Sequence, residues 1–108
     1  MPFPYADRRA NHYRPAVVVA TGLGLDGILI WVAMITAAEN RRWPGDVVVD
    51  DHVAAGLPIP SVVRTSKLAT MAVLRAEKRG RLPALEMVAV DDAIATALRL
   101  DRHDGFHE

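Results

Sequence analysis

The chain contains no cysteine. That excludes a disulfide framework, a thiolate metal site and a cysteine nucleophile together. It also lacks a long hydrophobic run. The longest, residues 28–38, is interrupted by Thr36 and falls well short of the roughly 20 residues a membrane-spanning helix needs. No cationic start followed by an apolar stretch and a small-residue cleavage site is present, so secretion is not expected and the plain reading is a cytoplasmic protein. Net charge is zero, but its distribution is uneven. Residues 1–81 carry eleven Lys or Arg against seven acids, and residues 82–108 carry two against six. A basic body with an acidic C-terminal stretch fits a polyanion-binding surface, and ordinary surface charge fits it as well.

What is present suffices for one core. With 108 residues, 51% of them apolar, a single domain over 1–108 is expected, because one core commonly occupies roughly 100 to 150 residues. Residues 1–13 are rich in proline and charge and read as a short extended piece followed by a loop. Pro15 pushes Arg14 toward extended geometry. Residues 16–20 (AVVVA) form a short, β-branched, buried strand. Residues 21–27 (TGLGLDG) form a turn. Their glycines fit neither a phosphate loop nor a dinucleotide fingerprint, since no lysine follows and the spacing differs. Residues 27–36 (GILIWVAMIT) are apolar on both faces, which predicts a central strand. A polar loop with two arginines and a tryptophan follows at 37–45, then a short strand at 46–49 (DVVV).

Gly56, Pro58 and Pro60 make 50–60 a connection. Residues 61–68 and 69–75 read as one long bent strand or two short ones, and 75–81 as a solvated basic turn. From Pro83 the period changes. Met87, Val90, Ile94, Ala97 and Leu98 recur at three-and-four spacing, the mark of an amphipathic helix. Pro83 suits its first turn, Glu86 its positive end, and Arg99 and Arg102 its negative end. Asp91 and Asp92 then lie on the wet face, and residues 101–108 read as a frayed tail. The expected fold is mostly β with a C-terminal helix (α+β): a small curled, barrel-like sheet with one helix packed on it.

Several segments, in order, resemble one family. Residues 14–19 (RPAVVV) look like the RPAxVV strand of PemK/MazF toxins, and residues 2–7 (PFPYAD) are similar to a PFPFTD opening in one of its branches. Met34, Ile35 and Thr36 stand where the family has the end of its PIT strand. Residues 56–71 (GLPIPSVVRTSKLATM) resemble its SVVR block, and residues 80–100 resemble its closing GRLS helix. The resemblance implies an SH3-like barrel of the PemK/MazF/CcdB type and a homodimer. It also implies a toxin of a type II toxin–antitoxin system, held in check by a cognate antitoxin. The implied activity is sequence-selective cleavage of single-stranded RNA without a cofactor or metal, leaving 2′,3′-cyclic phosphate and 5′-hydroxyl ends.

That chemistry assigns roles. Arg14 offers a planar fork of donors to phosphate oxygens, and its very high pKa suits it to charge stabilisation rather than to a base. The plain alternative is a surface arginine before a strand. The Thr36 hydroxyl can donate to a non-bridging oxygen, although threonine also suits a strand for its β-propensity. Arg64 matches a family arginine that lies near the scissile phosphate in some members. His12, two residues before Arg14 in an extended segment, points to the same side and titrates near neutrality, so it is the candidate proton carrier; loop histidines are usually inert. Arg41, Arg42 and Trp43 suit phosphate contact and base stacking, and Lys67 a further phosphate contact, though solvated loop charges need no such role. Asp7 matches a structural loop aspartate.

Two departures from the pattern stand out. The family often has an aspartate two positions after the SVVR arginine, where this chain has Ser66. The family also normally begins with a strand of the type RGDVVLV before PFPF; here the barrel is expected to lack that first strand and to expose a sheet edge. Two further functions are therefore open: a toxin-fold protein that binds a protein target, as CcdB does with gyrase, and an inactive module that captures an antitoxin. A metal hydrolase fits poorly. Of the histidines at 12, 52, 103 and 107, only His103 and His107 are close in sequence, and no carboxylate pattern surrounds them.

Overall fold

The structure is a computed structural model that describes the backbone of residues 4–9 and 12–100 and the side chains of residues 14–99. Six strands and one helix follow in the order β1 (Pro4–Arg9), β2 (His12–Leu23), β3 (Leu29–Ala37), β4 (Val47–Val48), β5 (Ser61–Ala72), β6 (Ala76–Lys78) and α1 (Ala84–Leu100). They make one antiparallel sheet of order β4-β5-β3-β2-β1-β6, curled into a half-barrel. The mostly-β expectation with a closing helix holds.

β3 is interior, between β2 and β5, as its two-sided apolar character requires. Val17, Ala33, Ile35 and Val63 pack toward α1 with Met87 and Val90. Ala16, Val18, Ile30, Val32 and Met71 form a second buried cluster, with Met34 and Ala76 packed against it. Alternate residues of one strand thus enter two cores, which is why AVVVA carries no polar face.

The chain departs from the expected elements in three places. The N-terminal segment read as an extended piece and a loop is a hairpin: β1 pairs with β2 from Pro4↔Val17 to Arg9↔His12, so residues 12 and 13 already belong to β2. The basic turn at 75–81 contains β6, which pairs with β1 (Ala6↔Glu77). β1 is consequently an interior strand, and among the described residues the sheet ends at β4 and β6 rather than at the N-terminal edge expected from a missing strand. Both differences arise because ladder bonding of the backbone outweighs weak local propensity. The third departure lies in α1. Its stripe is buried at Met87 and Val90, but Leu98 is 68% exposed, at the mouth of a groove it lines with Val19, Trp31 and Leu68 of the sheet. The tail at 101–108, with His103 and His107, lies outside the described residues.

β5 is one strand, and its irregularity shapes the site. Ala33 pairs with Leu68, yet the next residue, Met34, pairs with Arg64. Thr65, Ser66 and Lys67 therefore stand out of the ladder as a bulge, a device that re-aims side chains.

Among the described residues no helix is long and apolar enough to cross a membrane. None of their His, Cys, Asp and Glu side chains form a group of three or more able to hold a metal ion.

Candidate active site

Arg14 and Thr36 come from neighbouring strands, and only the sheet brings them together. Ala16 pairs with Met34, so Arg14 lies two residues before one partner and Thr36 two after the other. Two-residue alternation then sets both on the face shared by Met34 and its β5 partner Arg64. The result is a cavity of about 300 Å³ lined by Arg14, Pro15, Thr36, Arg64 and Lys67, floored by Met34 and Ile35. Lys67, an exposed residue of the β5 bulge, borders it.

The partners of these groups differ. Arg14 is exposed, lines the cavity and makes no hydrogen bond to a described residue. The Thr36 hydroxyl oxygen accepts a hydrogen bond from Asn40 Nδ2 at 2.6 Å. That contact uses a lone pair and leaves the hydroxyl hydrogen to donate elsewhere. Asn40 was not foreseen from the sequence; it is placed by the turn that follows β3, where its backbone N–H donates to the Ala37 carbonyl at 3.0 Å.

Arg64 borders the cavity but is largely engaged. It is only 8% exposed. Its Nε and Nη2 donate to Asp46 Oδ1 and Oδ2 at 3.2 and 2.9 Å, and Nη2 also donates to the Arg41 carbonyl at 2.6 Å. The Trp43 ring covers it, with the guanidinium carbon 4.2 Å from the ring centroid. Asp46 in turn accepts the Trp43 amide at 3.0 Å and lies 4.0 Å from Arg42 Nε. Its side chain is fully covered. Burial opposes its charge, but the Arg64 hydrogen bonds, the Trp43 amide and the charges of Arg64 and Arg42 together outweigh that, and its pKa falls below the ordinary carboxylate value. Thr65 Oγ1 donates to the Gly45 carbonyl at 2.7 Å. Gly45 sits at φ +87°, and a Cβ there would meet that same hydroxyl oxygen at 2.9 Å, so the position requires glycine.

Arg41, Arg42 and Trp43 therefore sit on a loop, residues 38–46, pinned to β5 beside the cavity rather than lining it. Trp43 lines a neighbouring groove of about 510 Å³, shared with Ser66 of the bulge and Thr96 of α1. His12 is in β2, paired with Arg9, and Asp7 pairs with Arg14; the side chains of both lie outside the described residues. Asp46 escaped the sequence reading, where it was only the first residue of a short strand. Its partner is eighteen residues away, and no local spacing marks such a contact.

A MazF-like fold is evident in comparison with solved structures. The Deinococcus radiodurans MazE-MazF crystal structure superposes with a TM-score of 0.69 at 18% identity, covering 90% of this chain and 91% of that one. The Mycobacterium tuberculosis toxin MazF-mt6 gives 0.66 at 27% identity, covering 92% and 99%. An endoribonuclease in complex with its cognate antitoxin, from a mycobacterial species, gives 0.68 at 17% identity, covering 93% and 94%. No curated protein matches at the level of sequence. The family model for PemK-like, MazF-like toxins matches residues 1–98, from the β1–β2 hairpin through most of α1. With nine-tenths of its length accounted for by that match and its cationic cavity lying within it, the chain belongs to the PemK-like, MazF-like toxins of type II toxin–antitoxin systems.

Proposed function

We propose that this toxin is an endoribonuclease that cuts single-stranded RNA without a metal ion, acting as one domain over residues 1–108 in the cytoplasm. The observation that carries the proposal is the convergence of Arg14, Thr36 and Lys67 on one small cavity. In the proposed reaction the ribose 2′-oxygen attacks the adjacent phosphorus and the bond to the 5′-oxygen breaks. The products are a 2′,3′-cyclic phosphate and a 5′-hydroxyl. Negative charge builds on the non-bridging oxygens. A guanidinium bordering the cavity meets it with paired donors, which is Arg14's role. Thr36, its lone pair held by Asn40, donates to one of the same oxygens. His12 is the candidate to take the 2′-proton or return one to the leaving oxygen. Arg64 adds positive field at the cavity wall, reduced by Asp46. Lys67, Arg41 and Arg42 contact neighbouring phosphates, and Trp43 stacks on a base.

The functional unit is proposed to be a homodimer, inhibited by a cognate antitoxin whose acidic segment covers Arg14. The mycobacterial neighbour in complex with its cognate antitoxin supports that reading. A second reading has an observation behind it. Ser66 supplies no carboxylate and Arg64 is spent on Asp46, which suits a catalytically weak toxin acting by protein binding, on its antitoxin or on a CcdB-like target such as gyrase.

Incubation of a long RNA with the protein in EDTA separates the two. Discrete fragments ending in cyclic phosphate, reduced about a hundredfold or more by Arg14→Ala, are expected for the enzyme. A folded wild-type chain that leaves the RNA intact returns the second reading.

A further inference from the structure

The proposed reaction does not use Asp46, although it is a fully covered carboxylate beside the site. A covered charge is tolerated only with good partners, and all of Asp46's partners belong to one small assembly: Arg64, Arg42 and the Trp43 amide. Arg64 is thereby turned from the cavity toward the loop. Two of its nitrogens are fixed by Asp46 and the Arg41 carbonyl, and its flat face lies 4.2 Å from the Trp43 centroid. Thr65 fastens the same loop one residue further on. The indole is left 41% exposed. It forms a wall of the groove of about 510 Å³ that also holds the hydroxyl-bearing Thr65, Ser66 and Thr96 and the small Ala93. Ser66 and Lys67 are adjacent in the bulge, so this groove and the cationic cavity meet at β5.

From this arrangement we infer that Asp46 is a positioning residue: through Arg64 it holds Trp43 as the aromatic wall of a nucleobase subsite beside the phosphate cavity. The inference rests on the RNA-cleaving reading and deepens it. A base placed there stacks on a rigid ring that has already lost its rotamer freedom, and a preorganised surface binds more tightly than one that must be ordered. Guanidinium contact on the ring strengthens the platform. Ser66, exposed on the bulge, supplies a donor and acceptor for a base edge. In this role Arg64 acts on RNA through Trp43, not by touching the phosphate.

The two tryptophans permit a direct readout. In a Trp31→Phe background Trp43 is the one remaining tryptophan, read by excitation at the red edge where tyrosine does not absorb, and Trp31 lies outside the site. Titration with a mixed-sequence 2′-O-methyl RNA, which lacks the attacking hydroxyl, reports binding apart from cleavage. Saturable quenching of Trp43 is expected, weakened about tenfold by Asp46→Asn, the scale of one lost base stack. Asp46→Glu, which keeps the charge, is expected to restore part of it. On cleavable RNA, Asp46→Asn is expected to raise KM with kcat little altered, whereas Arg14→Ala lowers kcat. Should Asp46→Asn lose its melting transition, Thr65→Val, which removes the loop's tether at the Gly45 carbonyl while keeping the side chain's shape in the groove, is read in the same way. No quenching in the parent, or equal affinity in a folded Asp46→Asn or Thr65→Val, overturns the inference. Intact quenching without cleavage supports it and sinks the enzyme reading alone.

Discussion

Asp46 and Thr36 show how single side chains here are defined by partners distant in the chain. The folded pKa of Asp46 lies below its ordinary value of 3.8, so the unfolded chain binds the proton more readily than the folded one. Stability from the Asp46–Arg64 pair is then fully present above the ordinary value and is lost as pH falls through the lower folded value. Thermal melting of wild type and Asp46→Asn is expected to differ at neutral pH, with the gap closing below about pH 4. A gap that stays constant down to pH 2 would show the carboxylate's charge to be irrelevant. Thr36 offers a sharper chemical test. Thr36→Ser keeps the hydroxyl that Asn40 orients, whereas Thr36→Val keeps the shape and removes the donor. Single-turnover cleavage is expected to survive the first change and to fall about tenfold in the second, the usual worth of one hydrogen bond to a charged group.

Among the elements, α1 and the 50–60 connection carry measurable burdens. Val90 is fully buried against the sheet, and Val90→Ala is expected to cost about 2 kcal/mol in urea unfolding, with the slope m unchanged. Gly56 adopts φ +80°, and a Cβ there would stand 2.7 Å from the Arg79 carbonyl oxygen. Gly56→Ala is therefore expected to destabilise by more than about 1 kcal/mol, since strain and a backbone clash act together. The helix period and the turn residues made both elements visible in the sequence. β6 was not visible. Three residues, Ala76–Lys78, following a 3-10 turn in a basic stretch, carry no alternation long enough to read; β1 recruits them by backbone pairing.

At the scale of the whole molecule the net charge of zero conceals an organised field. Arg14 and Lys67 share the cavity, while exposed Asp91 and Asp92 lie on α1. RNA affinity is thus expected to fall with salt. Lys67→Ala is expected to reduce the slope of log K against log salt by about 0.7, the contribution of one phosphate contact on a single strand. An unchanged slope would remove Lys67 from the phosphate path. Arg42, 4.0 Å from the Asp46 carboxylate, is partly neutralised and is expected to contribute less when tested in the same titration.

The sequence by itself determined the class of fold and the family. Apolar alternation and period change are local signals, written within one element, and they marked β2, β3, β5 and α1. The ordered motifs from Arg14 to the closing helix led to the family, and the family model spans the same residues. Only the tertiary structure decided what Arg64 does. Its sequence neighbours, Val63 and Thr65, say nothing of Asp46, Arg41 or Trp43, which approach on the loop between its flanking strands β3 and β4. Hydrogen bonds and ring contacts act over a few ångströms in space without regard to separation along the chain. The bulge in β5 is of the same kind: three residues leave the ladder because Arg64 and Leu68 both pair with β3, a register that exists only once the sheet has formed.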